Sequence, residues 1–215
     1  MTWCDPSAPP GTCAPDQDVR ERLLRAAVDI FDRKGYAASS VREIVERAGL
    51  TKPVLYYHFG SKEGILVTIL EEGARQFQAA VERAAAGGGT ARQRLEALCE
   101  QAYGLFKENV PVARVAHAVY YGPREGMPVF DFTVFERALA DATRQIIQDG
   151  VASGELRPGP VAHMVTAVTA VIAVCSDQEI CKHGTRIGLD GLHGVLDVIF
   201  RGMSAGHETQ GELTQ

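Results

Sequence analysis

Between residues 50 and 66 the chain reads LTKPVLYYHFGSKEGIL, with Tyr56, Tyr57, His58 and Phe59 in four consecutive positions. On a helix, four consecutive residues point around the whole circumference, so the run cannot be buried on one face. Rings with polar tips that stay outside can hydrogen-bond a phosphate oxygen or pack on a thymine methyl, and Lys52 and Lys62 beside them supply cations. The chemistry on offer is recognition of double-stranded DNA by an exposed helix. Filling of a small core is the competing use, and it suits Tyr57 and Phe59 best. Tyr56 and His58, close to Lys52, are expected at the DNA.

The elements that must hold this stretch are legible on either side of it. Ser40-Val-Arg-Glu43 is a capping box, in which each end satisfies the other's backbone N–H, and it opens a short helix over 41–48. Gly49 ends that helix. Thr51 caps the next one, 52–58, and Pro53 sits in its first turn, where a missing N–H costs little. Gly60 stops it, and Ser61 opens a long helix that runs to Gly87-Gly88-Gly89. Upstream, Val19, Leu23, Ala27, Ile30 and Phe31 recur at helical spacing before Gly35. Two short helices joined by a tight turn form a helix-turn-helix, with Val41, Ile44, Val45, Ala48, Val54, Leu55 and Phe59 on its inner faces.

Residues 18–66 resemble the DNA-binding head of the TetR family of one-component transcriptional regulators. The resemblance rests on F-x-x-x-G-Y at Phe31–Tyr36, S-V-x-x-I at Ser40–Ile44, A-G-L-T at Ala48–Thr51 and L-Y-Y-H-F-G-S-K-E at Leu55–Glu63. It covers under a quarter of the chain. It implies that Thr51, Lys52 and Tyr56 touch an operator from the recognition helix, and that Tyr57 and His58 contact phosphate or base edges. By the same resemblance Lys62 lies against a phosphate at the start of the following helix. Arg42 is either a clamp on the DNA backbone or an ordinary solvated charge. Pro53 and Val54 depart from the small residues often found before L-Y, which leaves base preference open.

The 215 residues carry a net charge of −5, which argues against a protein that coats nucleic acid indiscriminately. The charge is uneven: residues 16–67 hold nine Lys/Arg against eight Asp/Glu, while 68–215 hold thirteen against eighteen. A neutral-to-basic head on an acidic body fits a chain whose head alone meets an anionic partner. Beyond the triple glycine, Thr90-Ala-Arg-Gln93 is a second capping box, followed by an apolar stripe of Leu95, Leu98, Ala102, Leu105 and Phe106. Further helices are expected at about 112–121, 132–153, 160–177 and 188–203, broken by Pro111 and by Gly122–Pro128. No run alternates as a strand does, so the expected class is all-α. The expected layout is a disordered arm over 1–16, a three-helix helix-turn-helix head over 17–62, a helical ligand-binding and dimerisation domain over 63–205, and a disordered tail over 206–215.

In that second domain Tyr103, Phe106, His117, Tyr120, Tyr121, Phe130, Phe132 and Phe135 gather most of the remaining rings near helix breaks, where a cavity is easiest to leave open. With His117 and Cys175 as polar handles, the group suggests a pocket for an unidentified small, mostly apolar effector. Plain core packing is the alternative for any one ring. A dimer surface is expected from Val161, Val165, Val168 and Ile172 on helix 160–177 and from Leu192, Val195, Leu196, Ile199 and Met203 on the last helix. The resemblance implies that these two helices form a four-helix bundle across a two-fold axis.

The N-terminus has no positive region followed by an apolar one, and the apolar run Val161–Cys175 is short for a bilayer. The expectation is a cytoplasmic homodimer with no membrane partner. Five cysteines without zinc-finger spacing point to reduced thiols, no metal and no cofactor. Two rivals remain. An enzyme would need a signature of its own, and the triple glycine lacks the Lys-Ser/Thr of a phosphate loop. A redox- or metal-responsive regulator would use Cys4 and Cys13 in the arm or Cys175, Cys181 and His183 further on. The function expected first is a ligand-responsive regulator that represses from a palindromic operator until its effector releases it.

Overall fold

The computed structural model describes residues 15–122, 126–181 and 187–203. The expected arm and tail, with Cys4, Cys13 and also His183, lie outside these residues, except that Pro15 and Asp16 belong to the first helix. Among the described residues the chain forms α1 (Pro15–Lys34), α2 (Val41–Ala48), α3 (Lys52–Phe59), α4 (Lys62–Ala85), α5 (Ala91–Glu108), α6 (Val110–Tyr121), α7 (Thr133–Ala152), α8 (Val161–Cys181) and α9 (Gly188–Met203), and no strand. The fold is all-α.

Local chemistry sets the short elements. At α2 the Glu43 amide donates to Ser40 Oγ over 3.3 Å and the Ser40 amide to Glu43 Oε2 over 2.9 Å. Gly49 closes α2 at φ 64°, a left-handed position that costs a glycine nothing and turns the chain into α3. Arg22 of α1 pins the same corner by donating to the Ala48 carbonyl over 2.7 Å.

Two apolar cores follow. The first joins Leu23, Leu24 and Phe31 of α1, Ile44 and Val45 of α2, Leu55 and Phe59 of α3, and Ile65, Leu66, Ile69 and Leu70 from the first half of α4. The second joins Phe77 and Val81 from the far half of α4 to α5, α7, α8 and α9. Val115 and Val119 of α6 enter the first core, although α6 also packs on α8. Arg114 of α6 reaches Asp32 of α1 with two hydrogen bonds of 2.6 and 2.5 Å. A two-point guanidinium–carboxylate pair fixes orientation as well as distance. So α4 and α6 both bridge head and body.

The expected dimer surface needs correction. Val165, Val168, Ile172, Leu192, Leu196 and Met203 are buried within their own chain, and Val161 and Ile199 pack against the same core. Of the nine residues expected there, Val195 is the exposed one. The reason is that α8 is apolar on nearly all sides and packs on α5, α7 and α9, so its larger side chains go inward. Smaller residues face out: Ala162, Thr166, Ala170, Ala173 and Val174 on α8, with Gly194, Val195 and Val198 on α9. Helix α8 also extends beyond Cys175, and Val161–Ile180 is long and apolar enough to cross a membrane by length and composition. Its inner face is built into the body core.

Candidate functional site

Helix α3 has just eight residues, and Leu55 and Phe59 bury it against the head. Because those two share one face, Lys52, Pro53, Tyr56 and Tyr57 are left exposed. Tyr57 is 81% exposed and Tyr56 49%. Thr51 precedes the helix with extended backbone, and its side chain makes no capping hydrogen bond. The α3 N-terminus therefore presents backbone amides, a hydroxyl and an ammonium together, a set suited to phosphate and base edges. Arg42 stands exposed on α2 in an ion pair of 2.6 Å with Glu46, whose hydrogen bond raises its pKa.

Two residues expected at the DNA turn elsewhere. The His58 side chain is only 8% exposed, with Nε2 3.5 Å from Asp16 Oδ1 of α1. Standing three residues after Leu55 and one before Phe59, it shares their inward face. Lys62 donates to the carbonyls of Tyr36 and Ser39, both over 2.9 Å, and its ammonium lies 4.2 Å from the centre of the Tyr36 ring. Partial burial lowers its pKa. Those carbonyls belong to the loop between α1 and α2, so Lys62 anchors that loop to the start of α4. Lys62→Met is accordingly expected to lower stability by about 1–3 kcal/mol, since two half-buried carbonyls lose a charged donor. The salt dependence of DNA binding should keep its slope. Urea unfolding with anisotropy at several salt concentrations checks both, and unchanged stability with a flatter slope would restore Lys62 to the phosphate.

The second feature lies between α6, α7 and α8. A cavity of about 240 Å³ is lined by Phe106, His117, Tyr120, Tyr121, Phe132 and Phe135, with Glu136, Ser176 and Asp177. An adjoining hollow of about 390 Å³ shares Tyr120, Phe132 and Glu136 and adds Phe130. The rings brace one another: Tyr120 stands edge-on to Tyr121 at 4.6 Å and to Phe132 at 5.2 Å between ring centres. Six of the nine residues expected at a ligand pocket thus line the cavity, and a seventh, Phe130, lines the hollow beside it. Tyr103 and Cys175 do not. Tyr103 is buried, its hydroxyl donating to Glu179 over 2.7 Å, and Cys175 sits in the body core.

Sequence reasoning missed Glu136, Ser176 and Asp177, and the alanines Ala113, Ala116 and Ala173 that leave the space open. The signal available was Ala113 and Ala116, three apart on α6 beside the aromatic cluster. The two described thiols, Cys99 and Cys175, offer little chemistry. Burial pushes the Cys99 thiol up to about 12 and raises Cys175 as well, so neither supplies the reactive thiolate near neutral pH. Among the described residues no group of three or more His, Cys, Asp or Glu is placed to hold a metal ion.

Comparison with known proteins agrees with this fold. Residues 23–69 match the family model for bacterial regulatory proteins of the tetR family. The HTH-type transcriptional activator FasR of Mycolicibacterium smegmatis is 34% identical over 99 residues, covering 46% of this chain and 45% of FasR. The chain thus spans about half the length of that relative. The HTH-type transcriptional repressor KstR2 of the same species is 29% identical over 160 residues, covering 69% of this chain and 73% of KstR2. Among solved structures, the TetR family transcriptional regulator PfmR from Thermus thermophilus is 28% identical, with a TM-score of 0.69 over 84% of this chain and 97% of PfmR. The chain thus carries, at residues 23–69, the DNA-binding head of the tetR family of bacterial regulatory proteins, joined to a helical body with the fold of solved TetR-family regulators.

Proposed function

We propose that the chain is a homodimeric, cytoplasmic repressor that binds a palindromic operator through Thr51, Lys52, Tyr56 and Tyr57. A small, mostly apolar effector entering the aromatic cavity releases it. The observation that carries this reading is the placement of α6. His117, Tyr120 and Tyr121 on one side line the cavity, while Val115 and Val119 lie in the head core and Arg114 holds Asp32 of α1. A shift of α6 on ligand entry therefore moves α1, and α4 follows, because its first half shares that core. In a dimer reading two fixed grooves, a change of a few Å in the separation of the two α3 helices is enough to lose the operator. The effector must bind the DNA-incompetent arrangement better, or nothing shifts.

Tyr120→Ala and Phe106→Ala test this. Truncating a packed aromatic costs about 3–5 kcal/mol, whereas a ring that borders an open cavity costs less. With an effector found by thermal shift, at least one variant should stay folded, bind operator, and fail to release it. Normal release by both, or early melting of both, counts against the cavity as sensor.

The dimer face proposed here is the outer side of α8 and α9, including Val174 and Val198, 55% and 70% exposed in the single chain. Small residues along α8 let a partner helix approach closely. Val174→Glu with Val198→Glu is expected to give folded monomers in sedimentation, since two charges would have to be buried unpaired. A dimer of unchanged stability places the interface elsewhere. Burial disfavours Cys175 as the thiol of a redox response, while Cys4, Cys13 and His183 lie outside the described residues. No enzymatic step is assigned.

A further inference from the structure

We propose that the cavity is selective for a small organic cation, one with an aromatic or aliphatic body and a positively charged head. The inference rests on the reading of the cavity as the effector site and names the class of ligand it takes. Among the described residues lining the cavity and the hollow beside it, the carboxylates are Glu136, Asp177 and Asp131, and no lysine or arginine is present. Asp131 is occupied at the start of α7, accepting from the Thr133 amide over 3.0 Å and its hydroxyl over 2.6 Å. Glu136 lies on the wall common to both spaces, with the Tyr120 hydroxyl 3.4 Å from its Oε1. Asp177 stands across the cavity wall, 3.4 Å from His117 Nε2.

Much of the remaining wall is aromatic, with Ala113, Ala116, Ala173 and Ile180 between the rings. Tyr120, Tyr121, Phe132 and Phe135 line it, and a cation is attracted to an aromatic ring face the more strongly as water is excluded. A carboxylate or phosphate in the same space would meet the like charge of Glu136 and find no lysine or arginine among the described lining residues. Ser176 supplies an independent sign that a ligand belongs here. It lines the cavity, is only 4% exposed, and its Oγ has no hydrogen-bond partner among the described residues. A buried hydroxyl left unpaired costs free energy that a polar atom of a ligand would recover.

The test uses three probes on one skeleton: phenylbutyl-trimethylammonium, phenylbutanol and phenylbutanoate, titrated calorimetrically into the full chain. The cation should bind at least about tenfold tighter than the alcohol, with the carboxylate weakest, as expected of a desolvated cation–aromatic site beside carboxylates. Glu136→Gln with Asp177→Asn should remove at least about a tenfold share of the cation's affinity and leave the alcohol within about threefold. Alcohol or carboxylate binding as tightly as the cation overturns the ligand class while leaving the cavity as a binding site. A double variant that keeps the cation preference also overturns it. No binding by any of the three removes both this assignment and the reading of the cavity on which it rests.

Discussion

Leu55→Ala is expected to cost about 2–5 kcal/mol and to abolish operator binding. Helix α3 has eight residues, too few to be stable alone, and it is held by Leu55, which is 0% exposed, and by Phe59. Removing the larger part of the Leu55 side chain leaves a cavity in a small core that cannot easily collapse, because α1, α2 and α4 all meet there. The recognition helix would then lose its fixed orientation even in molecules whose body remains folded. Tyr57→Ala is the companion change: at 81% exposure its truncation should alter stability by no more than about 0.5 kcal/mol. Urea unfolding followed by circular dichroism gives both values. A Leu55→Ala protein as stable as the parent would mean that the head is not packed through α3.

Lys52→Ala combined with Tyr56→Ala should weaken operator binding about a hundredfold or more while leaving the melting temperature nearly unchanged. Both side chains are exposed, so neither contributes much to the fold. Removing a side chain that bonds directly to DNA costs about 1–3 kcal/mol, and in a dimer each substitution acts in both half-sites. Since one phosphate neutralised releases about one counterion, removing Lys52 from both protomers should flatten the salt dependence by about two units of slope. Fluorescence anisotropy across a salt series measures this. A double variant with full affinity moves the DNA-binding surface away from α3.

Much of the head could be read before any coordinates because its signals are local. The Ser40–Glu43 box, Gly49 and Gly60 each set a helix end through a bond or a backbone angle within a few residues. The side of a helix that faces out was harder. Helix α8 is apolar almost all round, so periodicity could not say that Val168 and Ile172 go inward while Ala170 and Val174 stay outside. Lys62 failed for another reason: its place in the motif suggested phosphate, but two carbonyls from a loop more than twenty residues earlier capture its ammonium. His58 follows the same pattern, since Asp16, the charge beside it, is distant in sequence. The cavity was half legible. Aromatic clustering marked the place, but the carboxylates that give it a sign of charge come from α7 and α8, and only the folded chain brings them together.

Selection from a random pool of double-stranded DNA tests the central claim most directly, with the wild-type protein and the Lys52→Ala, Tyr56→Ala variant run in parallel. A two-fold dimer reading DNA through two copies of α3 should enrich an inverted repeat, its half-site centres about one helical turn or a multiple apart, and the variant should enrich nothing. An enriched sequence without two-fold symmetry, or the same inverted repeat recovered by the variant, would contradict it.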